Sequence, residues 1–144
     1  MKKIVVFFVI VLIIICGISY LYLNYKVNYF DTKRANKQFE SYLNEEITGN
    51  DLATLMNRAI DNNNKNEVKL LNNEIYEDNK SNSISIEIKM TDNNKKYKME
   101  TIVNNGIQNF INYYGNIKFK CTDIKYHKNT KKVKYLLFEQ IDEK

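Results

Sequence analysis

Residues 4–23 read IVVFFVIVLIIICGISYLYL, preceded by Lys2 and Lys3 and followed by no charge until Lys26. About 20 residues at a rise of about 1.5 Å each match a bilayer core of about 30 Å, and only Ser19, Tyr20 and Tyr22 break the apolar run. The stretch predicts a helix that spans a membrane. The remainder of the chain is then a domain tethered beside a lipid surface, and a total of 144 residues leaves room for one such domain with a single core.

Two other readings of the same stretch place a processing site inside it. A secretory signal would use Gly17-Ile18-Ser19 and cut after Ser19, and a lipoprotein signal would lipidate Cys16, although Ile15 stands where such signals carry a small residue. The apolar character continues past both sites through Leu21 and Leu23. Tyr20, Tyr22, Tyr25 and Tyr29 follow at the depth of an interfacial aromatic belt, which favours an uncleaved anchor. Lys2 and Lys3 are opposed by Lys26, Lys33, Arg34 and Lys37, so flanking charge does not fix orientation. The short dicationic tail is expected to stay cytoplasmic while the long domain is translocated, which gives a single-pass cell-membrane protein with an extracytoplasmic domain.

Composition restrains the functional classes. The chain holds 22 Asn, 20 Lys and 18 Ile with no Pro or Trp, a bias towards AT-rich codons. The formal net charge of +5 is therefore too weak a sign to point to nucleic acid.

Beyond the anchor, residues 24–46 contain no Gly or Pro and place Ala35, Phe39, Tyr42, Leu43 and Ile47 on one helical face, so the helix is expected to continue to Glu46, with Gly49 as its stop and Asn50 capping the next. A second amphipathic helix is predicted over 51–61, with Leu52, Leu55, Met56, Ala59 and Ile60 inward and Asn62, Asn63 and Asn64 ending it. The period then changes to two. Short strands are expected at 68–71, at 83–90 with Ile84, Ile86, Ile88 and Met90 inward, and at 97–103 after the turn Thr91 to Lys96. A helix over 105–114 precedes a closing hairpin, 117–126 and 133–138, whose phase slips at Thr122-Asp123 and so implies a bulge. The acidic tail Asp142-Glu143 is expected to fray. The sum is an α+β fold with an antiparallel sheet of about five strands, organised as tail and anchor (1–23), helical extension (24–47) and α+β domain (48–144).

In its order of elements, an N-terminal membrane helix running into an amphipathic segment and then an antiparallel sheet, the chain resembles type IV pilins and pseudopilins. That resemblance implies an assembly subunit of a pilus or secretion apparatus. It covers architecture alone, because the span has no Glu and its Gly17 lies late, where the family's leader ends in Gly and is followed by a Glu at the fifth position. Residues 47–61 (ITGNDLATLMNRAID) and 125–140 (KYHKNTKKVKYLLFEQ) are also similar to segments of uncharacterised, membrane-anchored small proteins of AT-rich Gram-positive bacteria, a group that implies no activity.

Catalytic and cofactor signals are sparse. His127 is the single histidine and is expected in an exposed turn, and strand alternation turns Asp123 and His127 away from Cys121, so no metal cluster is expected. Cys16 lies in the span and Cys121 in the domain, where it is expected to be a small buried apolar side chain with no base beside it. The four glycines form no phosphate loop. No catalytic, cofactor or metal residue is therefore assigned.

Charge patterning does stand out. Residues 40–78 carry nine acidic and three basic side chains, whereas residues 117–134 carry seven lysines and Asp123 alone. Lys118, Lys120, Lys125, Lys132 and Lys134 are thus the candidate interaction patch, towards a protein partner, a second copy, or an anionic lipid or envelope polymer. Phe119 and Tyr126 fall on the opposite face from the lysines, which argues against stacking on single-stranded nucleic acid. The residues point to a non-enzymatic interaction or assembly module of the cell envelope, with an envelope enzyme of unconventional site or a pseudopilin-like subunit as the alternatives.

Overall fold

Helix α1 runs from Lys2 to Glu40, in a computed structural model that describes residues 2–72, 74–92 and 95–141. The centre of the Thr91 to Lys96 turn and the acidic tail Asp142-Glu143 lie outside the described residues. The chain divides into two compact units, Met1–Arg34 and Ala35–Lys144. The first is helix alone. Its apolar stretch is long and hydrophobic enough to cross a membrane, and none of it is buried against protein.

In the second unit the end of α1 buries Asn36 and Phe39. The helix stops at Glu40, short of the expected Glu46, and the chain turns through Asn44, which takes a left-handed φ of 63°. Ile47 keeps its buried place, but in a strand, β1 (Glu46–Thr48). Pairing of β1 with a strand some seventy residues later supplies the backbone hydrogen bonds that a continued helix would have made.

Helix α2 (Gly49–Lys65) starts earlier and ends later than its periodicity predicts. Its cap is Thr48 rather than Asn50: the Asp51 N–H donates to the Thr48 hydroxyl oxygen at 3.2 Å while the Thr48 N–H donates back to the Asp51 carboxylate at 3.4 Å. This reciprocal box satisfies donors at the helix start. Gly49, expected as a stop, is instead the first helical residue, and a Cβ there would run into the backbone at the end of another helix. Leu52, Leu55, Met56 and Ala59 form the buried stripe, as their spacing requires.

A two-stranded sheet, β2 (Leu70–Leu71) and β3 (Ile75–Tyr76), leads to β4 (Ser85–Lys89). Ile84, Ile86, Ile88 and Met90 are all buried on one face. The next strand, β5 (Lys96–Lys98), is shorter than predicted, since residues 99–104 form helix α3 (Met99–Asn104) instead of extending it. Gly106 at a φ of 96° then opens α4 (Ile107–Tyr114), a conformation that side chains with a Cβ rarely adopt. Strands β6 (Lys118–Tyr126) and β7 (Val133–Gln140) complete the hairpin, and their register slips between Cys121 and Asp123, the site of the expected bulge.

The fold is α+β. The main sheet has the order β1-β6-β7-β4-β5, antiparallel throughout except for β4 and β7, which run parallel with Ile86 opposite Leu136 and Ile88 opposite Phe138. The sheet is antiparallel as expected but for this one pair, which arises because β5, α3, α4 and β6 all intervene before β7 returns to the centre. One sheet face, through Ile86, Ile88, Phe119, Leu136 and Phe138, packs on the side chains of α2, α4 and Phe39 in one core. The other faces outward.

Candidate functional site

Alternation along β6 sends Phe119 and Cys121 into the core and Lys118 and Lys120 to the outward face. After the bulge at Thr122 the outward set resumes with Asp123 and Lys125, opposite Leu137 and Tyr135. Rows of charge cross the sheet. Register places Glu46, Lys120, Glu139, Lys89 and Lys96 side by side on β1, β6, β7, β4 and β5. Lys89 pairs with Glu139 at 3.6 Å, Lys96 with Glu87 at 4.0 Å and Lys125 with Asp123 at 3.3 Å, and Lys125 also lies over the Tyr135 ring. The Tyr135 hydroxyl donates to Glu87 at 2.8 Å, and burial, followed by that carboxylate, pushes its ionisation well above the ordinary tyrosine value.

The five candidate lysines therefore fall into two groups. Lys118, Lys120 and Lys125 follow β6 on the outward face; among the described residues the first two make no ion pair. Lys132 and Lys134 sit at the other end, beside the β6–β7 turn. Lys134 is the extra residue where the ladder slips from Lys125 opposite Tyr135 to Tyr126 opposite Val133, and its ammonium pairs with Asp78.

Asp78 is the acidic counterpart that net charge alone did not single out. Its hydrogen bond from Lys134 is the main reason its carboxyl is held below the usual carboxylate range, against a partial burial that acts the other way. A carboxylate with a lowered folded-state pKa adds stability that is complete above its unfolded value and is lost as pH falls through the folded one. Asp78 is 49% exposed, so the contribution is below about 1 kcal/mol. Comparing urea midpoints at neutral and acid pH, Asp78→Asn is expected to be slightly less stable than the native chain at pH 7 and to lose that difference as pH falls through the lowered pKa of the folded carboxyl.

His127 is a correction to the sequence reading. It is 2% exposed rather than an open turn residue, and its Nε2–H donates to the Ser83 carbonyl at 2.8 Å. Residues 79–83 fold over it, an arrangement that no local pattern around His127 encodes. The imidazole does not meet Cys121, which is buried in the core with its thiol pushed up to about 11 by that burial. A thiol so protonated is a poor nucleophile at neutral pH. Among the described residues no three His, Cys, Asp or Glu side chains are grouped to hold a metal ion.

A separate groove of about 290 Å³ opens between α3, α4 and the β4–β5 end, lined by Tyr97, Phe110, Tyr113 and Tyr114 with Asn105 and Asn109. Among the described residues its one acidic side chain is Asp92, and no Cys or His lines it. Comparison with protein-family models, with curated proteins and with solved structures found no match to this chain.

Proposed function

We propose that the chain is a membrane-anchored, extracytoplasmic interaction module of the cell envelope, which works by contact rather than catalysis. The observation that supports this most is the outward sheet face. It lies opposite the helical layer, and its lysines Lys118 and Lys120 have no ion pair among the described residues. A mainly antiparallel sheet commonly leaves one face to solvent, and it is the ordered rows of charge across that face that suit it to an external, charged partner. The apolar stretch of α1 supplies the anchor, and tethering raises the local concentration of any partner at the same surface.

The reading has a direct test. The protein is expected to remain with membranes through alkaline carbonate washing, to keep its N-terminus, and to lose its C-terminal unit to protease added outside intact protoplasts. Crosslinked partner yield from those membranes is expected to fall several-fold when Lys118 and Lys120 are replaced by Glu, and to fall similarly for the native chain in high salt. Protection of the domain from external protease would refute the topology, and identical crosslinking of native and reversed chains would refute the contact face.

A further inference from the structure

The β6–β7 turn packs against residues 78–83, and between them lies a cavity of about 250 Å³ lined by Lys80, Tyr126, His127, Lys128, Asn129 and Lys134. We propose that this cavity binds a phosphate group, carried either by a lipid headgroup or by a small soluble polyol phosphate. The proposal rests on the envelope reading above and gives its anionic partner a chemical identity and a place.

Charge is the first argument. Three lysines, Lys80, Lys128 and Lys134, line the cavity against two neighbouring carboxylates, Asp78, which is paired with Lys134, and Glu40, which is hydrogen-bonded to Tyr126. The lining therefore carries a surplus of positive charge and hydrogen-bond donors, which a compact tetrahedral oxyanion matches. Asn129 adds a neutral polar group at the same wall.

Construction of the walls is the second. The Asn79 side-chain oxygen accepts from the N–H groups of Ser81, Asn82 and Ser83 at 3.0, 2.9 and 3.0 Å, which fixes one wall as a tight turn. The other wall closes on itself, the His127 N–H donating to the Lys132 carbonyl at 2.8 Å and the Lys131 N–H to the His127 carbonyl at 3.0 Å. The two walls are joined: the Thr130 hydroxyl donates to the Ser81 carbonyl and the His127 ring to the Ser83 carbonyl. A cavity held this way needs little reordering to receive a ligand.

His127 is the third. Its side chain is 1% exposed and lines the cavity, its Nε2 is satisfied by Ser83, and Nδ1 lies 4.0 Å from Asp78, outside hydrogen-bond distance. The only histidine of the chain thus stands in the cavity wall with its Nε2 held by backbone and its Nδ1 near the Asp78 carboxylate.

As the only histidine in the chain, His127 also reports on the site. The full chain in neutral detergent micelles is titrated with inorganic phosphate and with glycerol 3-phosphate at constant ionic strength, and the imidazole proton signals are followed by NMR. A saturable shift is expected. Lys80→Gln with Lys128→Gln is expected to weaken affinity about tenfold, the charge-retaining pair Lys80→Arg with Lys128→Arg to preserve it, and Asp78→Asn to strengthen it about threefold by removing the competing carboxylate. Asp78→Asn keeps an oxygen for the Lys80 N–H it now accepts at 3.1 Å, so its gain is not a folding effect. In nanodiscs, bound-state signals with phosphatidylglycerol and no added phosphate assign the ligand to lipid; signals that move only on adding glycerol 3-phosphate assign it to a soluble phosphate. No saturable shift in any arm, or equal affinities for the native chain, the Gln pair and Asp78→Asn, overturns the proposal. Carbonate extraction and protease access do not involve the cavity, so a membrane-held, externally cleaved protein with no shift refutes the site and leaves the envelope reading standing.

Discussion

Gly49→Ala is expected to lower the melting temperature of the C-terminal unit by more than about 10 °C, or to leave it unfolded. A Cβ at this position would stand 1.9 Å from the Tyr114 carbonyl oxygen and 2.6 Å from its carbon. Both are backbone atoms, which cannot swing aside as a side chain does. The start of α2 would have to retreat from the end of α4, and two hydrogen bonds cross that contact: the Gly49 N–H donates to the Ile117 carbonyl at 2.9 Å and the Asn50 N–H to the Gly115 carbonyl at 3.0 Å. Overpacking of about 1 to 3 kcal/mol combined with strained backbone bonds gives a cost of about 3 to 5 kcal/mol, a large part of a small domain's stability. Gly17→Ala is the control, because nothing lies within 4 Å of its added carbon. Thermal unfolding of the full chain in detergent measures both. A Gly49→Ala transition within about 2 °C of the native one would show that the α2–α4 junction is not as tight as drawn.

The same junction explains what the sequence withheld. Gly49 reads as a helix stop because glycine favours left-handed backbone, yet here it is chosen for having no side chain, and its neighbour in space is sixty-five residues away in the chain. Elements whose register is local were legible. The alternation of Ile84, Ile86 and Ile88, the stripe Leu52, Leu55, Met56 and Ala59, and the bulge at Cys121 to Asp123 all follow from a period carried by adjacent residues. Ile47 shows the limit. Its spacing from Phe39 and Leu43 suits a helical face as well as a strand, and only the distant partner Phe119 decides between them.

The candidate site divides along the same line. Alternation in β6 was enough to place Lys118 and Lys120 outward and Phe119 inward. The partnership of Lys134 with Asp78, the burial of His127 under Ser83 and the cavity they border join segments about fifty residues apart, and no period records them. One signal was present but hidden. The many asparagines read as codon bias, although a few of them hold backbone together across the fold. Asn36 donates to the Lys131 carbonyl at 2.9 Å and accepts from the Val133 N–H at 2.8 Å, tying the end of α1 to the turn that precedes β7.

Asn63 gives the second large effect expected. It lies near the end of α2, fully buried, at a place where three consecutive asparagines were expected to end the helix. Its side-chain amide donates to the Ile84 carbonyl at 2.8 Å and its oxygen accepts from the Ile84 N–H at 2.8 Å, so one side chain completes both backbone groups of the residue that enters β4. In effect it replaces a neighbouring strand. Asn63→Ala would leave a donor and an acceptor unpaired in the core beside an empty space, at about 1 to 3 kcal/mol for each orphaned group, and a total of about 3 to 5 kcal/mol is expected in urea denaturation. Asn63→Asp separates the two bonds. It keeps an acceptor for the Ile84 N–H but turns a carboxylate oxygen towards the Ile84 carbonyl, so at neutral pH it should be no more stable than the alanine variant and should recover stability as the pH is lowered and the side chain gains a proton to donate. Hydrogen exchange at the Ile84 amide is expected to accelerate in Asn63→Ala beyond the increase seen at Ile88, whose bonds lie within the sheet. Equal acceleration at both amides would mean that Asn63 acts only through global stability, and that β4 needs no clamp at its entry.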